Sequence, residues 1–207
     1  MDKNRLNQQF EFIRTIDKEK MIKRQTLLTD KQTFEDDAQH AWHASIMALL
    51  LNEYVNEKID LLKTISMLLI HDLVEIQAGD TYAYDEVNKQ TQRQRELEAA
   101  NNIFGILPEN QAVQFRKLWD EFEAQENNEA KFARAMDCIQ PMILNDASDG
   151  KMWIKNQVRL SQILKRNEKI PSSSTTLWDY VYESFIIPNV EKGRIINDKE
   201  EQKWKNM

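Results

Sequence analysis

The chain has 207 residues, 41% hydrophobic and 30% charged, which is enough length and apolar content to bury one core. Glycine and proline number four each, which leaves little room for the tight turns of a β-sandwich or barrel and favours long helices. A net charge of −6 argues against a partner that is a nucleic-acid polymer, because surfaces that bind such polymers are usually basic.

Cysteine content and the apolar runs indicate the compartment. Cys138 is the single cysteine, so no intramolecular disulfide can form and a reducing cytoplasm is the expected location. The first residues, MDKNRLNQQFEF, contain no apolar run typical of a signal peptide. The longest near-continuous apolar run, ISMLLI, is too short to cross a bilayer. We therefore predict a cytoplasmic protein with no membrane partner.

Hydrophobic periodicity predicts an all-α fold, with no convincing alternation of strand type. In chain order, the predicted helices lie at about 5–17, 37–56, 60–75, 89–106, 109–125, 127–146, 157–167 and 175–191. Asp60 can cap the third of these, and Pro108 opens the fifth. The most polar loop candidates are 27–36, 76–88 and 168–175.

No repeat or linker indicates a second domain. Residues 1–207 are therefore predicted to form one domain, with its core at about 10–190 and a charged C-terminal tail, NDKEEQKWKNM. Near the end of the chain, Trp178, Tyr182 and Phe185 recur at helical spacing. We expect them to lie in the core, and a dimer face is the alternative.

The three histidines, His40, His43 and His71, all fall within two predicted apolar helices. A buried imidazole or carboxylate costs free energy unless it is paired. Adjacent helical residues point about 100° apart, so His71 and Asp72 in LLIHDLVEIQAGD can flank one point as two ligands of one ion. Glu75, three residues later, places a further carboxylate beside that point.

Other helices offer the remaining ligands. His40 and His43 are one turn apart, and periodicity does not decide between them. Asp137 adjoins the apolar stripe of a later helix and is followed four residues on by Pro141. Because proline cannot donate to the Asp137 carbonyl, we expect the helix to bend or open there. A capping or salt-bridged role for Asp137 is the alternative.

Two imidazoles and two carboxylates form a mixed nitrogen and oxygen donor set. Such a set suits Mn²⁺, Co²⁺, Fe²⁺ or Mg²⁺ better than a structural Zn²⁺ site, which favours thiolates. Zn²⁺ stays open as an alternative ion.

Three segments, DDAQHAWHASIMALLL, LLIHDLVEIQAGDTYAYD and AMDCIQPMILN, together resemble the HD-domain superfamily of metal-dependent phosphohydrolases. Within it, they are similar to the branch of the HD-domain 5′-deoxynucleotidases, over about residues 10–190. The resemblance implies a compact helical bundle that often dimerises, and His43 as a neighbour of the site. It also implies metal ligands at His40, His71, Asp72 and Asp137, and catalytic carboxylates at Glu75 and Asp80.

The sequence departs from the family pattern at two positions. Gln39 stands where the family usually has glutamate, and we expect this change to remove an acceptor that orients His40. Cys138 stands where the family has a basic residue that would pair with a nearby acid. Among the basic residues of DKEKMIKRQT, Lys23 and Arg24 are our candidates for contact with a substrate phosphate.

The leading hypothesis is hydrolysis of (deoxy)ribonucleoside 5′-monophosphates to nucleoside and phosphate. Glu75 would orient or deprotonate the attacking water. Asp80 would protonate the leaving 5′-oxygen, which requires a pKa raised by burial or by neighbouring negative charge.

The same fold also serves phosphodiesterases, nucleoside triphosphate hydrolases and alarmone hydrolases. A helical module that binds metal or nucleotide without catalysis is a further alternative, and Gln39 and Cys138 would favour it.

Overall fold

Most of the described residues lie in helices, and the all-α prediction is confirmed. The computed structural model describes residues 2–80 and 89–199. The described helices are α1 (Lys3–Ile16), α2 (Asp37–Leu51), α3 (Leu61–Ile70), α4 (Glu75–Ala78), α5 (Lys89–Phe104), α6 (Glu109–Ala124), α7 (Asn128–Ala147), α8 (Lys151–Lys155), α9 (Leu160–Arg166), α10 (Ile170–Ser173), α11 (Thr175–Val181) and α12 (Ile187–Glu191). Short 3₁₀ turns follow α1 and α2 (Asp17–Met21 and Asn52–Tyr54), and a π-helical turn (Tyr182–Ile186) joins α11 to α12.

Polar side chains fix where the site-bearing helices begin. The Asp36 carboxylate accepts from the Gln39 backbone N–H, and the Gln39 side chain accepts in return from the Asp36 N–H, which forms a capping box at the start of α2. Asp60 caps α3, as predicted, and Asn127 caps α7. These caps satisfy N–H groups that the first turn of a helix leaves without partners.

A short β-hairpin precedes α2, and the prediction of a chain without strands was wrong here. β1 (Lys23–Leu27) pairs antiparallel with β2 (Phe34–Asp36), with Lys23 opposite Asp36 and Leu27 opposite Phe34. In the connecting turn, the Asp30 carboxylate accepts from the backbone N–H groups of Gln32 and Thr33. Strands of five and three residues are too short to show alternation, so β2 was placed within the polar loop 27–36 and residues 23–26 of β1 were assigned to no element.

The helix predicted at 60–75 divides in two. α3 ends at Ile70, and residues 71–74 form turns before α4. His71 Nδ1 donates to the Leu68 carbonyl (2.8 Å), and the Glu75 N–H bonds to the Asp72 carbonyl (2.8 Å) instead of continuing the α-helical ladder. Gly79, with φ +77°, ends α4. His71 and Asp72 therefore lie on a turn between helices.

Several further boundaries differ from the prediction. The helices α8 and α10 were not predicted, and α9 is shorter than the predicted 157–167. The predicted loop 76–88 contains part of α4, and its residues 81–88 lie outside the described residues. Residues 200–207 of the predicted tail lie outside them as well. α7 runs through Pro141 as one continuous helix, and Asn145 Nδ2 donates to the Pro141 carbonyl (2.8 Å).

The core consists of two apolar clusters that meet at the His71 turn. The larger one surrounds α7 and includes Leu68, Phe132 and Met136. The smaller one lies between α5 and α6 and includes Leu73 and Trp119. The chain thus leaves one cluster and enters the other within five residues, which places His71 and Asp72 deep in the molecule.

The aromatic end of the chain packs as predicted. Trp178, Tyr182 and Phe185 are partly buried against the larger cluster, so the core assignment is confirmed. Within residues 2–80 and 89–199, no helix combines the length and the hydropathy of a membrane span.

Candidate metal centre

Asp137 lies in the middle of α7 and faces His40 on α2 and His71 on the turn after α3. His40 Nε2 is 3.0 Å from Asp137 Oδ1, and Arg134 Nη1 is 2.9 Å from Asp137 Oδ2. Burial alone would raise the pKa of Asp137, but Arg134 and the two imidazoles outweigh it and hold that pKa well below its usual value. The carboxylate is therefore ionised and buried.

His40 is fully buried and is held in one orientation by Gln140. His40 Nδ1 is 2.9 Å from Gln140 Oε1. The Gln140 amide nitrogen donates to Glu35 Oε1 and to His43 Nδ1 (3.0 Å), so the amide oxygen must face His40. His40 Nδ1 therefore carries the proton, and its Nε2 presents a lone pair to Asp137.

The His71 ring is fixed in the same way from the other side. Its Nδ1 donates to the Leu68 carbonyl, which leaves a lone pair on Nε2. That buried atom has no hydrogen-bond partner, although Asp72 Oδ1 lies 3.1 Å away and Asp137 Oδ1 3.7 Å away. Trp119 Nε1 donates to the His71 carbonyl (3.2 Å) and anchors the turn.

These contacts bring four potential ligand atoms together in a buried space. Ligand atoms of His40, His71 and Asp72 all lie within 4.8 Å of one another, and Asp137 contacts both imidazoles. Buried lone pairs that face carboxylates repel each other unless a cation lies between them. The residues present therefore fit a divalent metal ion with nitrogen and oxygen ligands.

The pKa of His71 reflects the same crowding. Burial lowers this pKa, but Asp72 and Asp137 outweigh burial and raise it well above the usual value. A proton on His71 Nε2 is thus favoured where a cation would otherwise lie, and binding of a metal ion releases that proton.

Arg24 reaches the same group from strand β1. Its Nη1 is 2.7 Å from Asp72 Oδ2 and 3.1 Å from Asp37 Oδ1. Burial alone would lower the pKa of Arg24, but Asp72 and Asp37 outweigh it and leave that pKa well above its usual value. Lys23 is not brought to the site: it pairs with Asp36 (3.3 Å), and its side chain is 55% exposed.

A cavity of about 590 Å³ opens beside these ligands, and both predicted catalytic carboxylates line it. Glu75 is buried, its Oε2 has no hydrogen-bond partner, and burial followed by Asp72 raises its pKa well above the usual value. Burial also raises the pKa of Asp80, which Arg24 opposes and Asp72 reinforces. A raised pKa is the property that a general acid needs near neutral pH.

Four residues of the site were missed as functional from sequence: Glu35, Asp37, Arg134 and Gln140. A signal existed for three of them. Asp37 lies three residues before His40, while Arg134 and Gln140 lie three residues on either side of Asp137, so helical spacing places each beside a ligand. Glu35 carried no such signal, because it lies on the unpredicted strand β2.

The two departures from the family pattern have local explanations. Gln39 serves the capping box of α2, and the acceptor that orients His40 is Gln140. The expectation that Gln39 deprives His40 of an orienting acceptor was therefore wrong. Cys138 is buried, and Arg134 supplies the basic partner of Asp137 from one turn earlier.

Comparisons with known proteins all indicate the same family. The model of the HD domain matches residues 16–178. The 5′-deoxynucleotidase HDDC2 of Mus musculus is 30% identical over 103 residues, which is 50% of this chain and 50% of that protein. The chain thus aligns with about half the length of the curated relatives it matches.

Solved structures extend the similarity over most of the chain. A predicted metal-dependent phosphohydrolase from Magnetospirillum magnetotacticum MS-1 is 40% identical, with a TM-score of 0.89 over 93% of this chain and 96% of that one. An HD-domain phosphohydrolase from Listeria innocua is 14% identical, with a TM-score of 0.57 over 87% and 88% of the two chains. The second similarity supports the fold alone.

Proposed function

Because this chain belongs to the HD-domain family, we propose that it is a metal-dependent phosphomonoesterase that hydrolyses deoxyribonucleoside 5′-monophosphates. The observation that carries the proposal is the convergence of two fixed imidazole lone pairs and two ionised carboxylates beside a cavity lined by Glu75 and Asp80. The names of the curated relatives support the substrate class.

His40, His71, Asp72 and Asp137 would hold one divalent ion. Mn²⁺, Co²⁺, Fe²⁺ and Mg²⁺ suit this donor set, and Zn²⁺ is the alternative. When bound, the ion supplies positive charge to a phosphoryl oxygen and lowers the pKa of water. Gln140 and the Leu68 carbonyl keep both imidazoles oriented for it.

The carboxylates in the cavity divide the proton transfers. A bound cation would favour the ionised form of Glu75 against its raised pKa. Glu75 would then orient the attacking water or accept a proton from it, as the water oxygen bonds to phosphorus and the bond from phosphorus to the 5′-oxygen breaks. Asp80 gives its proton to that leaving oxygen. Arg24, which lines the same cavity, would contact the phosphoryl group and offset its negative charge.

Glu75→Gln and Asp80→Asn test these roles. Each should lower the rate of phosphate release from dAMP by about 10²–10⁴-fold, the usual contribution of general acid–base catalysis, while the metal content stays unchanged. Glu96→Gln is a matched control, because Glu96 lines the same cavity without a proposed role. Full turnover by Glu75→Gln with metal bound would refute the catalytic assignment.

A nucleotide panel separates this activity from others on the same fold. Release of phosphate from monophosphates, with none from cyclic or triphosphate nucleotides, is the expected pattern. Release of pyrophosphate from triphosphates or alarmones would contradict it. Metal binding without turnover on any nucleotide would identify a non-catalytic module.

We further propose that two copies of the chain associate through α2 and α3. Trp42, Ile46, Leu49 and Leu50 form an exposed apolar stripe along α2, and Leu62 and Leu69 are exposed on α3, which packs beside it. Exposed apolar surface of this extent is typical of an interface. A second copy would pair the stripe with itself, as two-fold symmetry requires.

Leu50→Glu tests this interface by light scattering after size exclusion. It should give a monomer where the unsubstituted chain gives a dimer. Val113→Glu is the matched control, since Val113 is similarly exposed on α6. A monomeric unsubstituted chain, or equal masses for both variants, would refute the interface.

A further inference from the structure

A second, smaller cavity opens beside the first, between α7, α9 and α10. Its volume is about 180 Å³. Five cationic side chains line it, together with one carboxylate, Glu168: the five are Lys131, Arg134, Lys165, Arg166 and Lys169. Since the whole chain carries a net charge of −6, this concentration of positive charge is local.

Few of these cations are neutralised by the protein. Arg134 pairs with Asp137, and Lys169 Nζ is 3.3 Å from the neutral amide oxygen of Gln125. Among the described residues, no carboxylate lies within ion-pair distance of Lys131, Lys165 or Arg166. Like charges around one cavity repel each other, so an anion there would stabilise the arrangement.

The helix dipole explains only part of the cluster. Lys165 and Arg166 lie in the last turn of α9, where cations favour the C-terminal carbonyl groups. Lys131 and Arg134 lie in the first two turns of α7, where that effect opposes positive charge. The four side chains nevertheless face one cavity.

The small cavity shares part of its lining with the main one. Arg134, Lys165 and Arg166 line both. Arg166 is also close enough to Asp80 to lower the pKa of that carboxyl against the effect of burial. An anion bound by the cluster would therefore lie beside the nucleotide that we propose for the main cavity.

We propose that this cluster is a second oxyanion site, which binds a phosphate group other than the one that is hydrolysed. Lysine and arginine are the side chains that recognise phosphate oxygens. The group has two potential sources: a further phosphate on the nucleotide in the main cavity, or a separate phosphate anion.

Direct binding measurements test the site by affinity, with Glu75→Gln introduced into every protein so that the nucleotides are not consumed during the titration; their outcome is therefore independent of the proposed hydrolase activity. Metal-loaded protein is titrated calorimetrically with inorganic phosphate, and then with deoxyadenosine 3′,5′-bisphosphate and dAMP in parallel. The test variant is Lys131→Gln with Lys169→Gln, because these two lysines line the small cavity and not the main one. The matched control is Lys58→Gln with Lys192→Gln, which removes two exposed lysines elsewhere.

Loss of two charge-assisted contacts should weaken binding at this site by at least about tenfold in the test variant, with no change in the control. If inorganic phosphate shows this loss, the site binds a separate anion. If only the preference for the bisphosphate over dAMP is lost, the site binds a second phosphate of the nucleotide. Equal affinities of all three proteins for all three ligands would overturn the proposal, and equal melting temperatures exclude an effect of misfolding.

Discussion

Gln140 is the residue whose replacement tests the orientation of the metal ligands most sharply. Gln140→Leu keeps the approximate volume but removes the acceptor of His40 Nδ1 and the donor to Glu35 and His43. His40 and Glu35 are buried, so two groups lose partners away from water. At about 1–3 kcal/mol for each such group, the variant should lose roughly 2–6 kcal/mol of unfolding free energy.

The same change should weaken metal binding. Without Gln140 Oε1, the His40 proton can move to Nε2, which removes the lone pair that would hold the ion. Loss of an orienting partner typically lowers metal affinity about 10–100-fold. The assay is competition between the protein and a fluorescent chelator for Mn²⁺ or Co²⁺, with stability measured separately by urea unfolding in EDTA.

Asn189→Leu is the matched control for that experiment. Asn189 is also fully buried and also makes three side-chain hydrogen bonds, to Asp146, Phe185 and Arg194, away from the site. It should lose comparable stability and keep its metal affinity. Unchanged affinity in Gln140→Leu, or an equal loss in Asn189→Leu, would refute the orienting role.

Two further substitutions probe the buried charges around the site. Arg24→Met removes the cation that contacts Asp72 and Asp37 and should lower the free energy of unfolding in urea by about 3–5 kcal/mol. Lys23→Met, which removes the exposed lysine of a neighbouring pair, should lower it by less than about 1 kcal/mol; equal costs would contradict this. Burial, reinforced by Asp72, raises the pKa of Glu19 to about 7 from 4.5. The contribution of Glu19 to the free energy of unfolding in EDTA should therefore fall as the pH rises between these two values. Glu19→Gln should be more stable than the unsubstituted chain by roughly 3 kcal/mol at pH 8, with little difference at pH 4. A gain that is independent of pH would refute the assignment.

The residues that were predictable from sequence are those with a local signal. His71 and Asp72 interrupt an apolar run, which predicted both as ligands of one ion, although the structure places them on a turn and not within a helix. Asp60 and Pro108 mark helix starts because capping depends on nearest neighbours. The resemblance to a family, rather than periodicity, favoured His40 over His43, and the structure brings His40 to Asp137 while His43 bonds to Gln140.

The remaining features depend on contacts that are distant in sequence. The hairpin that carries Arg24 is stabilised by pairing across its turn and by contacts with α7 and α8, and no local pattern encodes those. The end of α3 at Ile70 depends on where the His71 side chain finds its acceptor. That residues 1–207 form one domain, that the protein is cytoplasmic and that it dimerises stay predictions.

Metal content measured together with turnover tests the central claim most directly. Purified protein should contain one divalent ion per chain and release phosphate from dAMP. Chelation should abolish that activity, Mn²⁺ or Co²⁺ should restore it, and His71→Ala should neither retain the ion nor recover. Undiminished phosphate release from the chelated protein, or full metal content in His71→Ala, would contradict the account.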